Sequence, residues 1–183
     1  MKKLNIFYIL GAILIVAGVA FIVINQHQVT NLQTNTEQAV TQITQIMPPR
    51  TNAVAEQYSN TSMPVYEIDG VDYCAMLECK ILNINLPVAD SWADAQNSTA
   101  RCSGSVYDGT MIIGGQGLGF VIQLDLGDKI SVVDMLGGEY SYTVEKIDRA
   151  KDVDMDKLSS TDYQLTIFSY ITKEKKYVIV RCS

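Results

Sequence analysis

The chain has 183 residues, 48% of them hydrophobic, and its 14 Lys and Arg against 20 Asp and Glu give a net charge of −6 at pH 7. This length fits one domain of ordinary size with an extension. An acidic chain without a basic stripe is repelled by phosphate backbones, so nucleic acid is excluded as a partner. The single histidine is His27, so residues 64–183 contain no imidazole for a histidine base or a histidine-containing zinc site.

The N-terminal part contains an apolar segment, residues 5–24, without a charged side chain. About 20 helical residues rise about 30 Å, which matches the hydrocarbon core of a bilayer. Lys2 and Lys3 precede this segment and the next positive charge is Arg50, which indicates a cytoplasmic N-terminus and an exported remainder. A cleaved secretion signal is the alternative, but residues 22–28 offer no cleavage site with small residues. We therefore predict a single-pass plasma-membrane protein whose C-terminal domain is extracellular.

Residues 1–26 then form the cytoplasmic tip and the membrane span, and residues 27–63 form a polar stalk and linker rich in Gln, Asn, Thr and Ser. Within the stalk, apolar and small residues follow the a/d spacing of a coiled-coil seam, at Val29, Leu32, Thr36, Ala39, Ile43 and Ile46. This spacing predicts a helical stalk and raises the hypothesis of self-association through it. Pro48 and Pro49 end such a helix, and residues 50–63 are predicted to be a flexible linker.

From residue 64 onward, short apolar segments alternate with turns rich in Gly, Asp and Asn, which is typical of an all-β domain. A glycine turn at 136–138 predicts a hairpin between residues 129–135 and 139–147. Further strands are predicted at residues 73–78, 83–88, 111–115, 120–124, 163–171 and 177–182. Eight strands suffice to close a small barrel without exposed edges. Residues 64–183 are therefore predicted to form a closed eight-stranded β-barrel, with a short acidic helix start between 148 and 162.

The four cysteines, Cys74, Cys79, Cys102 and Cys182, follow no CxxC spacing. They allow three disulfide pairings or none. Cys74 and Cys79 lie on opposite faces of a straight strand and should not pair with each other. Cys102 and Cys182 are candidate partners in an oxidising compartment. The sequence predicts no metal site and no cofactor.

Six segments between about residues 71 and 182 follow one another in an order and spacing found in a known family. They are YCAMLECKILNINLPV (73–88), RCSGSVY (101–107), MIIGGQ (111–116), LGDKI (126–130), LTIFSYI (165–171) and VIVR (178–181). Together they resemble the sortase family, the membrane-anchored cysteine transpeptidases that join proteins to the Gram-positive cell wall or to each other in pili. The resemblance implies an eight-stranded β-barrel. It also implies a sorting-signal peptide, a cell-wall protein or another sortase as partner.

The resemblance places three degenerate residues at the family's active-site positions. The family's histidine matches Gln116, its cysteine matches Tyr170, and its catalytic arginine matches Tyr177. Only the second, non-catalytic arginine is kept, as Arg181. The family's reaction needs a thiolate, an acid for the leaving amine and a cation for the oxyanion. A phenol with a pKa near about 10 is a poor acyl carrier, an amide cannot transfer a proton, and the second tyrosine supplies no charge, so no catalytic residue is intact.

The last two predicted strands bring two of these residues together. If they form a hairpin that turns at Lys173 and Glu174, Tyr170 lies directly opposite Tyr177. Such a pair either fills the former catalytic cleft or turns it into an aromatic binding surface. Trp92 is a candidate peptide anchor, although a lone tryptophan is more often part of the core.

Three functions remain open. The first is a membrane-anchored, extracytoplasmic sortase-like domain that binds or scaffolds at the cell surface and is not an enzyme. The second is an active sortase-type transpeptidase or peptidase, in cell-wall anchoring or pilus assembly, with Ser169 or Cys182 as a relocated nucleophile. Strand alternation points Ser169 away from the face of Tyr170, and the sequence offers it no base. The third is a structural protein whose stalk determines its function.

Overall fold

The structure is a computed structural model, which describes residues 14, 36–53, 62–95, 99–159 and 162–183. Apart from residue 14, the predicted membrane span and the first part of the stalk lie outside the described residues. Within the described ranges, every helix is too short or too polar to cross a membrane. The chain divides into two compact units, Met1–Glu37 and Gln38–Ser183, and the elements of the second unit are described below.

The described part of the second unit contains ten β-strands. They are β1 (Thr51–Asn52), β2 (Tyr66–Ile68), β3 (Val71–Cys79), β4 (Ile84–Ala89), β5 (Thr99–Ser103), β6 (Met111–Gly115), β7 (Lys129–Asp134), β8 (Gly138–Ala150), β9 (Leu165–Ile171) and β10 (Lys176–Cys182). The α-helical segments are α1, which is described over residues 36–46, and α2 (Met155–Leu158). Short 3-10 helices occur at Lys80–Leu82, Trp92–Ala95 and Gln116–Gln123.

Eight of these strands close into a barrel. In sheet order they run β3, β4, β5, β6, β9, β10, β8 and β7, and β7 pairs with β3 to complete the ring. The β4–β5 and β6–β9 pairs are parallel and the other six are antiparallel. Strands β1 and β2 pair with β8 and β3. The predicted closed eight-stranded β-barrel is therefore confirmed.

Seven of the eight predicted strands are present, within a few residues at each end. The strand predicted at 120–124 is wrong, because most of this segment belongs to the 3-10 helix Gln116–Gln123. The eighth barrel strand is instead β5, whose sequence TARCS alternates only the small residues Ala100 and Cys102 with polar ones. The predicted acidic helix start is confirmed, because the Asp154 side chain accepts a hydrogen bond from the Asp156 N–H at the start of α2.

The two faces of β10 contact different parts of the molecule. Val178, Val180 and Cys182 are buried inside the barrel. Tyr177 and Ile179, on the alternate face, join a separate apolar cluster with residues of β6, β9 and α2. This second face, outside the barrel core, is where the candidate site lies.

Helix α1, the part of the predicted stalk helix that the structure describes, packs against the barrel of the same chain. Helix α1 ends before Pro48, as predicted. Ile43 is 0% exposed and Ala39 is buried, whereas Ile46 is 52% exposed. Ile43 contacts an apolar cluster formed by Ile68, Met76, Val133 and Met135. Two residues of the predicted coiled-coil seam, Ala39 and Ile43, are therefore buried within the chain itself. Self-association through the seam stays a prediction.

The chain after α1 is also bound to the barrel. Both terminal nitrogens of Arg50 donate to the carboxylate of Glu78, at 2.6 and 2.9 Å. Strand β1 follows at once and pairs with the first residues of β8. The predicted flexible linker is therefore wrong for residues 50–53, because a buried carboxylate and a strand edge hold this segment. The predicted domain boundary at residue 64 stays a prediction.

A glycine allows the two prolines to pass close to the β7–β8 turn. Gly137 has φ +83°, and a Cβ at this position would lie 2.8 Å from the carbonyl oxygen of Pro49. Only glycine combines this left-handed backbone with so short an approach. The turn thus accommodates the segment that connects α1 to β1.

Candidate functional site

A pocket of about 520 Å³ opens where β6 and β9 end and β10 begins. Its described lining consists of Trp92, Cys102, Gly115, Gln116, Val153, Met155, Phe168, Ser169, Tyr170 and Tyr177. The three residues that the sequence matched to catalytic positions, Gln116, Tyr170 and Tyr177, all belong to this lining. The volume lies within the range of about 300–1,000 Å³ that is usual for ligand pockets.

The two tyrosines form one wall of this pocket. Tyr170 of β9 lies directly opposite Tyr177 of β10, which confirms the predicted register. Their ring centroids are 5.1 Å apart with an interplanar angle of 61°, an edge-to-face arrangement. Tyr170 is 44% exposed. The pair therefore leaves the cleft open and gives it an aromatic surface, and binding at this surface stays a prediction.

Two more rings extend this surface. Phe168 lies 6.4 Å from Tyr177, and Trp92 stacks on Phe168 at 5.9 Å with an interplanar angle of 29°. Trp92 is 50% exposed, so its interpretation as a core residue is wrong. Phe168 was not predicted as a site residue. Its position two residues before Tyr170 on the same strand face was the signal that could have identified it.

Gly114 provides the space for this stack. A Cβ at Gly114 would lie 2.5 Å from the Phe168 ring and 2.8 Å from the Trp92 ring. These contacts are too short for both rings to stay in place. The ring arrangement therefore depends on the absence of a side chain in β6.

Gly114→Ala should separate the Trp92 and Phe168 rings and destabilise the fold by about 1–3 kcal/mol through overpacking. Thermal denaturation measures the stability, and the emission of Trp92, the chain's one tryptophan, reports the stack. Gly119→Ala is the matched control, because a Cβ there meets no atom within 4 Å. Equal melting temperatures and emission spectra for the two variants would contradict the ring arrangement.

Solved structures with the same fold are known. No protein-family model matches the sequence, and no match to a curated protein was found. A sortase D5 transpeptidase of Clostridium perfringens superposes with a TM-score of 0.52 at 18% identity, covering 61% of this chain and 78% of that one. A lid mutant of sortase A from Corynebacterium diphtheriae gives 0.52 at 14% identity, over 84% and 93%. The chain has a sortase-like fold.

A third similar structure is a sortase C of Clostridium perfringens determined with the C-terminal cell wall sorting motif. It superposes with a TM-score of 0.52 at 16% identity and covers 69% of this chain and 74% of that one. At such identities the similarity shows the fold. It agrees with the resemblance of the six sequence segments, which lie on the strands of the sortase-like barrel and on the segments between them.

Ser169, one of the candidate relocated nucleophiles, has a structural hydrogen bond. Its hydroxyl donates to the carbonyl oxygen of Gly115 at 2.8 Å. Ser169 is 2% exposed beside the half-exposed Tyr170, in agreement with strand alternation. No base contacts this hydroxyl among the described residues. Ser169 therefore ties the end of β6, and with it the start of the Gln116 segment, to β9.

Arg181 lies on the same strand face as Tyr177 but is absent from the described lining of the pocket. Its guanidinium donates to the carbonyl oxygen of Lys157 at 2.9 Å and lies 5.3 Å from the centre of the Tyr163 ring. Asp148 approaches it at 3.9 Å. Arg181 is buried by these contacts and holds the segment that contains α2 against the sortase-like barrel.

All four cysteines lie in the described part of the chain and none forms a disulfide, so the candidate Cys102–Cys182 bridge is absent. Cys182 is buried in the barrel interior, where burial raises the pKa of its thiol to about 12. Cys102 lines the pocket, and burial likewise raises the pKa of its thiol to about 12. Both thiols are therefore protonated at neutral pH.

The described lining of the pocket carries no charged side chain. It supplies no cation that could stabilise an oxyanion. Among the described residues, no group of three or more His, Cys, Asp and Glu side chains is arranged to hold a metal ion. The described lining offers aromatic and aliphatic surface, the exposed amide of Gln116, the thiol of Cys102 and the hydroxyls of Ser169, Tyr170 and Tyr177.

Proposed function

We propose that this chain is a membrane-anchored, extracytoplasmic sortase-like domain that binds a peptide at the cell surface without cutting it. The observation that carries the proposal is the pocket in which Gln116, Tyr170 and Tyr177 meet. These residues come from three strand ends, and they occupy the positions that the sequence resemblance matched to a histidine, a cysteine and an arginine. The site keeps its opening and has no group suited to acyl transfer among its described residues.

The chemistry of the lining supports the absence of turnover. Acyl transfer needs an activated nucleophile and a group that protonates the leaving amine. Ser169 donates its hydroxyl proton to a main-chain carbonyl, which cannot accept it as a base. Cys102 has a thiol pKa of about 12 and no charged neighbour in the described lining. Cys182 is enclosed in the barrel core.

The exposure of the aromatic rings supports binding. Half-exposed Trp92 and Tyr170 flank an open pocket, and exposed apolar surface of this kind marks interaction sites. One of the similar structures, a sortase C, was determined with a cell wall sorting motif. We extend that ligand class to this chain and propose a sorting-signal peptide as its ligand. A cell-wall protein or another sortase would present such a segment.

The sequence supports the proposed location. Residues 5–24 have the length of a membrane span, and Lys2 and Lys3 favour a cytoplasmic N-terminus. The domain would then lie outside the plasma membrane, beside a cell wall of the Gram-positive type. This placement brings the pocket into the compartment in which sorting-signal peptides are processed by sortases.

The proposal predicts saturable binding of sorting-signal peptides without any cleavage product. The full chain in detergent is incubated with labelled sorting-signal peptides and an amine acceptor. Fluorescence anisotropy gives binding and mass spectrometry gives cleavage in the same samples. An active sortase serves as the cleavage control, and Ile122→Ala is the matched binding control because Ile122 is exposed outside the described pocket lining. Turnover that disappears in Tyr170→Ala would overturn the proposal, as would a lack of binding by every peptide.

A further inference from the structure

The pocket combines an uncharged lining with three exposed apolar side chains from different segments. Trp92 comes from the 3-10 helix between β4 and β5, Met155 from α2, and Tyr170 from the end of β9. Each of the three is exposed although it borders the pocket. Large apolar side chains that converge from separate segments and stay exposed are typical of a surface that a partner covers.

The absence of charged side chains from the described lining restricts which ligand groups can enter the pocket. A charged side chain that enters such a pocket loses its hydration, and the described lining offers no counter-charge to compensate for the loss. An apolar side chain gains by the removal of its surface from water and by contact with the rings. The pocket therefore discriminates between ligands by the charge of the group they insert.

The polar groups at the pocket suit a peptide main chain. Gln116 is exposed, and its side-chain amide carries both donors and an acceptor, as a peptide group does. The hydroxyl of Ser169 already donates to Gly115. The hydroxyls of Tyr170 and Tyr177 add further donors and acceptors to the described lining. These groups can pair with the N–H and C=O groups of an extended peptide.

We infer that the pocket binds an uncharged apolar side chain of a peptide between Trp92 and Tyr170, with Gln116 bonding the peptide's main chain. The inference rests on the proposed function and names the ligand chemistry of the same site. The residues matched to the family's catalytic positions then determine specificity. Replacing the neutral amide by a carboxylate should change that specificity.

The test uses acetyl-Gly-Gly-X-Gly-Gly-amide peptides with X as Leu, Phe, Lys or Glu, and the full chain in detergent. We expect the Leu and Phe peptides to bind about tenfold or more tightly than the Lys and Glu peptides. Trp92→Ala should lower the affinity for the Leu and Phe peptides by about tenfold. The Trp92→Phe and Ile122→Ala variants should bind these two peptides with unchanged affinity. Gln116→Glu should raise the affinity for the Lys peptide relative to that for the Glu peptide by about tenfold.

Peptide anisotropy or competition gives the affinities, and circular dichroism shows that each variant is folded. Equal affinities for the four peptides, or an unchanged Trp92→Ala variant, would overturn the inference. If sorting-signal peptides still bind without turnover in that case, the proposed function stands. The inferred preference for an uncharged apolar side chain is then wrong. If the sorting-signal peptides also fail to bind, the proposed function falls as well.

Discussion

Ile43→Ala should lower the free energy of unfolding of the full chain by about 2–5 kcal/mol. Ile43 is fully buried between α1 and the outer face of the barrel, where Ile68, Met76 and Met135 contact it. Truncation of the side chain leaves a cavity that α1 cannot fully close, because the segment after the helix is held to the barrel by the Arg50–Glu78 ion pair. Urea denaturation followed by the emission of the single tryptophan gives the free energy of unfolding.

Gln42→Ala is the matched control for this prediction. Gln42 is exposed and lies on the same helix, one residue before Ile43. Alanine has the higher helix propensity, so the control should be neutral or slightly stabilising. If the two variants unfold at the same urea concentration, α1 is not docked on the barrel and the assignment of Ile43 to the core is wrong.

The docked helix changes how the stalk is to be interpreted. A chain that begins at residue 64 would lose α1, β1 and the Arg50–Glu78 ion pair, and would expose the apolar face under Ile43. A coiled coil through Ala39 and Ile43 would require the helix to leave that face. The upstream seam residues lie outside the described residues, and self-association through them stays a prediction.

The barrel could be predicted because its signals are local. Glycine turns and alternation of apolar and polar residues define most strands within a few residues of sequence. The segment at 120–124 was misassigned because a short apolar run fits a strand and a buried helical turn equally well. Strand β5 was missed because its pairing partners define it. It pairs with β4 in the parallel sense and with β6 in the antiparallel sense, and its own five residues carry no signal for either pairing.

The candidate site was predictable only in part. Tyr170 and Tyr177 could be placed opposite each other because a short hairpin turn fixes the register of its two strands. Trp92 was a candidate peptide anchor, but its place in this pocket could not be predicted, and Cys102 and Met155 were not candidates. The three residues reach the pocket from a 3-10 helix, from β5 and from α2. Their positions follow from closure of the barrel and from packing between distant segments, for which the sequence has no periodic signal.

The native chain should react with iodoacetamide at about pH 8 roughly a thousandfold more slowly than the chain unfolded in urea. Burial raises the pKa of the Cys74, Cys102 and Cys182 thiols to about 12, from an ordinary value of 9.0. The thiolate is the reacting form, so its fraction falls by about ten for each unit by which the pKa exceeds the pH. Cys74, Cys79 and Cys182 are each 0% exposed, so lack of access slows their reaction as well.

The labelling rate of Cys102 is the result that bears on function, because Cys102 is the one cysteine in the described lining of the pocket. Mass spectrometry after increasing reaction times, with Cys102→Ser as the control, assigns the label to each thiol. A slow rate at Cys102 that still rises about tenfold per pH unit above pH 9.0, the ordinary pKa of a thiol, would be that of a buried, inactive thiol. Rapid native labelling of Cys102 or Cys182 near neutral pH would reveal an activated nucleophile. That result would favour a working enzyme over a binding domain, since transpeptidation begins with such a thiolate.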